Sequence, residues 1–224
     1  MARRKEKGVL GMDGPMTEKP AGSFVPALAV GLGFLLVYSA CIVRHPGLTL
    51  RGNELSHVRL LRAIVIKGNF SLTGGPGDVS RVGDDFFSNK PPGYAFLLSP
   101  FYWAYVRATG DETLDGCVSF CKWAGGLFSA LSATFLFAFL STFRLSFASR
   151  LFGLLAATFG TIFPAYCCLA NSIPLSMFLI VLSLSLFRFS RTAEGRYALL
   201  AGALFAGVYA ATVDYSNGVL TTRS

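Results

Sequence analysis

Apolar residues come in long unbroken runs, and polar residues are gathered between the runs rather than alternating with them. The first run, 24–43, passes 20 positions without a charge, enough for a helix to cross a hydrocarbon core about 30 Å thick. Further runs at 118–140, 151–169, 173–187 and 197–213 predict four more crossings. The shortest of them, 173–187, is expected to extend back into Asn171 and Ser172. Lys122, near the start of the 118–140 run, is expected to snorkel outward along its aliphatic stem. Ala203 and Gly207, four apart, suit close helix packing. A run of only 13 residues, 94–106, contains Pro100, three Tyr and Trp103, and predicts an interfacial helix at headgroup level rather than a crossing.

Between 44 and 117 the period changes. Leu55, Val58, Leu61, Ile64 and Val65 recur at spacings of three and four, while Glu54, His57, Arg59, Arg62 and Lys67 fall mostly elsewhere. This predicts an amphipathic helix lying flat on the bilayer, its basic face toward lipid phosphates. Asn53 suits the N-cap, Glu54 the first turn where the helix dipole favours a carboxylate, and Gly68-Asn69 the stop. Residues 69–83, rich in Gly, Ser and Asp, read as a mobile connection delivering Asp84-Asp85.

Composition turns these elements into a class. The 224 residues are 53% hydrophobic and 14% charged, with a mean hydropathy of +0.54, which predicts an all-α polytopic integral membrane protein of about five spans. Residues 1–23 read as a disordered cytoplasmic tail, and 24–224 as the transmembrane domain with 44–117 as its outer loop. The formal charge of +8 is spread over the chain ends and short loops, a topology signal and not a nucleic-acid surface. With Arg3, Arg4, Lys5 and Lys7 inside, five spans bring Arg144, Arg150, Arg188, Arg191 and Arg196 to the cytoplasmic side. The long loop and the Asp214-Tyr215 end then face outward. A bacterial inner or plasma membrane is the expected location. The five cysteines, without a CxxC pair or an adjacent His, read as small buried hydrophobes.

The outer loop holds the versatile side chains. In Asn89-Lys90-Pro91-Pro92-Gly93 two prolines stiffen the backbone after Lys90, which would hold its ammonium at a set height above the membrane. A fixed cation there suits a phosphate leaving group. No glycine-rich phosphate loop, HExxH or Ser-His-Asp arrangement is present in the sequence, so nucleotide hydrolases, zinc proteases and serine hydrolases have no support. Transporters usually need charged residues within their spans, and Lys122 is the single candidate.

Asn53-Glu54 opening an amphipathic segment after the first span, then Gly68-Asn69-Phe70, then Phe87-Ser88-Asn89-Lys90-Pro91-Pro92-Gly93 before an aromatic-rich helix, resembles the N-terminal part of the GT-C glycosyltransferases of the family 39 group. That group includes protein O-mannosyltransferases and the aminoarabinose transferase acting on lipid A. The resemblance covers about residues 20–220 and implies transfer of a sugar from a polyprenyl-phosphate donor to an acceptor glycan, lipid or protein at the outer membrane face. Glu54 matches the second acid of the family's Asp-Glu pair, and Lys90 the lysine of its Lys-Pro-Pro element. Asn53 stands where Asp is common, and an amide cannot take a proton. Either Glu54 is the catalytic base, or Asn53 orients substrate while Asp84 or Asp85 contributes. Lys90, His57, Arg59, Arg62, Asp84 and Asp85 are the expected substrate-binding set, with a divalent cation at Asp84-Asp85 left open.

Family members usually have many more spans, so the chain is expected to be an N-terminal portion. A second reading therefore stands beside the enzyme: a non-catalytic membrane subunit that binds polyprenyl lipid or partner helices. Blander roles also stand for single residues. Glu54 can serve only its helix dipole, His57 can be a solvated loop histidine, and Asp84-Asp85 a polar turn.

Overall fold

A computed structural model describes residues 24–44, 52–72, 78–143, 145–160, 166, 169–191 and 196–214. The tail 1–23, Arg144, Cys167, Cys168 and Tyr215 lie outside the described residues, as do the side chains of Asn53 and Asp214. The described residues are mostly helical: α1 (Phe24–Arg44), α2 (Asn53–Arg62) continued by a π-turn (Ala63–Lys67), α3 (Gly93–Thr109), α4 (Leu114–Ser141), α5 (Phe147–Phe159), α6 (Ile173–Phe189) and α7 (Arg196–Asp214). Val25–Arg44 and Leu114–Ser141 are long and apolar enough to cross a membrane, whereas Phe147–Phe159, Ile173–Phe189 and Arg196–Ala210 are apolar but shorter.

Contacts between helices set their directions. A Cβ added at Gly31 would meet Thr134, and one at Gly126 would meet Ile42, so α1 and α4 run antiparallel. The ring pair Phe128–Phe178, the hydrogen bond from Ser185 to the Phe135 carbonyl, and that from Arg188 to Thr142 make α6 parallel to α4. Ser183 Oγ donates to the Ala203 carbonyl at 2.6 Å, and a Cβ on Gly207 would stand 3.2 Å from Ser183 Oγ. The Ala203/Gly207 stripe thus lets α6 and α7 approach closely, as its spacing predicts.

Two ends result. At one lie the start of α1, the end of α4, the starts of α5 and α7 and the end of α6, with Arg150, Arg188, Arg191 and Arg196, each over a neighbouring aromatic ring. At the other lie α2, α3 and a small antiparallel hairpin of β1 (Val79–Val82) and β2 (Asp85–Ser88), packed on the starts of α4 and α6 and the end of α7.

The structure corrects several expectations. The 151–169 run is not one helix: α5 stops at Phe159, Gly160 caps it, and Leu169 to Ser172 are non-helical. Glycine is a poor helix interior residue, and Pro164 removes a donor soon after. Asn171 and Ser172 do not extend α6, because Asn171 Oδ1 accepts from the Ile173 amide and so starts the helix instead. Lys122 does not snorkel; it is 4% exposed inside the bundle. Residues 79–88 form a hairpin whose first strand lies within 69–83, where a mobile connection was expected. Val82 pairs with Asp85 across a two-residue Gly83-Asp84 loop, in which Gly83 has φ 65°, a conformation that glycine adopts at no steric cost.

α2 is amphipathic as predicted, but its apolar face meets protein. Val58, Leu60 and Leu61 are buried with Ala95, Leu98, Tyr102 and Cys117 in one core. Full burial of Val58 and of Leu61 contributes about 1.5–3 kcal/mol each. α3 also packs one face on protein. Tyr94, Leu98, Tyr102 and Val106, at helical spacing, are buried in that core, and Phe96, Phe101 and Trp103 are exposed on the other side.

Candidate functional site

α2 starts after Gly52 (φ 47°), and Asn53 is its first helical residue rather than its N-cap. Glu54 follows, half-buried in the first turn, and Ser56 and His57 are buried beyond it. Ser56 Oγ donates to the Asp78 carbonyl at 3.0 Å, and the Asn89 amide donates to the same carbonyl at 3.1 Å. One oxygen thus ties together α2, the entrance of the hairpin and its exit.

Lys90 leaves that exit. Its amide is fixed by Ser88 Oγ at 3.1 Å, Pro91 and Pro92 follow, and Pro92 occupies the N-cap position of α3. The Gly93 carbonyl is held in turn by the Tyr209 hydroxyl of α7 at 2.8 Å. The Lys-Pro-Pro element, stiffened by its prolines, is therefore also anchored at both ends. Its ammonium is not an open cation: Nζ lies 2.8 Å from Asp78 Oδ2, with the Lys90 side chain 6% exposed and that of Asp78 46%.

His57 is 4% exposed and sits edge-on to the Tyr94 ring, centroids 5.3 Å apart. Burial, and secondarily the Lys90 charge, push its pKa down to about 4. It is therefore neutral at physiological pH, and its Nδ1 is buried without a hydrogen-bond partner among the described residues. Burial overturns the solvated-loop reading. A neutral imidazole can still donate or accept one hydrogen bond. Burial beside the Cys121 and Cys117 thiols pushes the Tyr94 hydroxyl well above its ordinary pKa.

The other expected residues divide. Arg59 is half-buried on α2. Arg62 is committed elsewhere: its Nε donates to the Glu112 carbonyl at 2.7 Å, tying α2 to the α3–α4 connection. Asp84 lies at the hairpin tip in an exposed pair with Arg81 at 3.3 Å, and Asp85 accepts from Ser71 at 2.7 Å. Among the described residues no three His, Cys, Asp or Glu side chains stand close enough to hold a metal ion. Cys117 and Cys121 are buried, and Cys117 Sγ donates to the Val58 carbonyl at 3.6 Å.

Sequence reasoning passed over Asp78. The available signal was Val-Ser-Arg-Val, a Gly-Asp pair and Asp-Phe-Phe-Ser, two short β-prone runs around a two-residue turn, which folds the chain back and sets Asp78 opposite Asn89. No protein-family model, curated protein or solved structure matches the chain.

Proposed function

We propose that the chain is a multi-pass membrane protein of GT-C type whose hairpin end faces outward and handles a polyprenyl-phosphate sugar. The crossings would be α1, α4, the α5 segment, α6 and α7. Two observations support a membrane setting. Only 28% and 39% of the apolar windows of α1 and α4 are buried within the protein, whereas the core helix of a soluble fold is mostly buried. The arginines at the ends of α4–α7 also gather at the end where α1 begins, the pattern of the positive-inside rule.

The observation that carries the chemical reading is Lys90, a buried ammonium at the foot of a doubly anchored Pro-Pro element, with Glu54 and His57 on the neighbouring helix. In the transfer we propose, an acceptor hydroxyl attacks the anomeric carbon and gives its proton to Glu54. The carbon–oxygen bond to phosphate breaks with inversion, and the lipid phosphate leaves against Lys90, with Arg59 in support. Asn53 would orient the acceptor. Membranes bearing the chain, supplied with polyprenyl-phosphate mannose or polyprenyl-phosphate aminoarabinose, test this: Glu54→Gln should abolish sugar release while the amount of inserted protein stays unchanged. Equal turnover in that variant removes Glu54 from catalysis.

A second reading keeps the lipid and drops the chemistry. The Asp78–Lys90 pair favours it, since a cation already neutralised is poorly prepared to stabilise a leaving group. A wild-type chain that binds polyprenyl phosphate without releasing sugar from either donor would establish the non-catalytic subunit instead.

A further inference from the structure

The Lys90–Asp78 pair is asymmetric. The cation is enclosed, at 6% side-chain exposure, while the carboxylate is 46% exposed and occupies the solvent side of the pair. Asp78 is also held by its backbone: its carbonyl accepts from Ser56 Oγ and from the Asn89 amide. Its side chain can therefore swing away while its main chain stays fixed, because the bonds that tie α2 to the hairpin do not involve the carboxylate. Lys90 is the enclosed partner of the pair, and its main chain is held as well, its amide bonded to Ser88 and the next two residues being prolines.

We propose that Asp78 is a built-in competitor for the anion site of Lys90, covering the ammonium until a phosphate monoester or diester displaces it. The inference rests on the lipid-phosphate reading given above. A phosphate oxygen would take the place of Asp78 Oδ2, and the carboxylate would turn into the solvent that already reaches it. The closed pair lowers apparent affinity by the fraction of time Lys90 is covered, and it keeps a buried ammonium neutralised when no ligand is present.

The test uses the full chain in nanodiscs, with undecaprenyl phosphate as probe. Asp78→Asn should bind it about tenfold more tightly than wild type, as expected if the pair is closed about nine-tenths of the time. Asp78→Glu, which keeps the charge, should stay near wild type. A second measurement needs no variant: carbodiimide should join the Asp78 carboxylate to the Lys90 amine in ligand-free protein, and saturating undecaprenyl phosphate should suppress that cross-link. Wild-type binding that Asp78→Asn leaves equal or weaker, or a cross-link that ligand does not suppress, overturns the role of Asp78 while the lipid-phosphate site survives. If neither wild type nor Asp78→Asn binds the probe, the lipid-phosphate reading itself falls.

Discussion

The imidazole of His57 stands edge-on to the ring of Tyr94, 5.3 Å between centroids, in a core shared by α2 and α3. That contact makes the histidine part of the packing, and it has a pH consequence. The folded state holds His57 at about 4, below its ordinary 6.5, so the unfolded chain binds the proton more tightly. Stability is therefore unaffected by this group above pH ~6.5 and falls as pH drops from there toward ~4, by on the order of 2–4 kcal/mol. Thermal unfolding from pH 7.5 to 4.5 should show that loss in the wild type and a smaller one in His57→Gln. Parallel acid profiles would show that His57 is charged when folded.

Lys90 and Arg62 are expected to separate cleanly. Lys90→Met keeps an unbranched apolar stem and leaves behind a carboxylate that water already reaches, so its stability cost should be about 1 kcal/mol or less, while binding of undecaprenyl phosphate is lost. Arg62→Gln removes the bond to the Glu112 carbonyl and should cost about 1 kcal/mol with undecaprenyl-phosphate affinity intact. Calorimetry and lipid binding on the same two preparations decide the matter. The reverse pattern would make Arg62 the phosphate ligand.

α1 and α4 touch where Gly31 faces Thr134, and an added Cβ at Gly31 would lie 3.3 Å from Thr134 Cβ and closer still to its hydroxyl. Gly31→Ala should therefore destabilise the pair by about 1–3 kcal/mol, and Thr134→Ala should restore most of the loss. Unfolding midpoints of the two single variants and the double variant measure the coupling. Additive losses would mean that the helices are not in register at this point.

Orientation is open to chemical labelling. Asp84 is exposed at the hairpin tip, and Arg191 is exposed beyond α6 at the opposite end. In intact cells a membrane-impermeant maleimide should label Asp84→Cys above the wild-type background and should reach Arg191→Cys only after the membrane is opened. Equal labelling of both in intact cells would rule out an intervening membrane.

Much of this fold is legible along the chain. Unbroken apolar runs mark the helices, because a helix with apolar surface all round needs no periodic signal to be recognised. The period-3.6 pattern from Leu55 to Val65 marks α2, and Gly68, which ends it with φ 66°, is where a left-handed residue is cheapest. Lys90-Pro91-Pro92 also reads correctly, since proline stiffens its backbone whatever surrounds it. These are local properties, determined by each residue and its neighbours in sequence.

What surrounds a side chain is not local. The apolar face of α2 could equally meet lipid or protein, and only the arrival of α3 and the start of α4 decided for protein. Lys122 could reach an interface or be enclosed, and the position of α4 within the bundle enclosed it. Lys90 reads as an open cation until a two-residue turn folds 79–88 back on itself and brings Asp78 to within 2.8 Å of it. The sequence by itself determined which residues carry charge and how stiffly the backbone holds them. Tertiary structure decided which charges meet, because that depends on distances between segments that pattern and propensity do not encode.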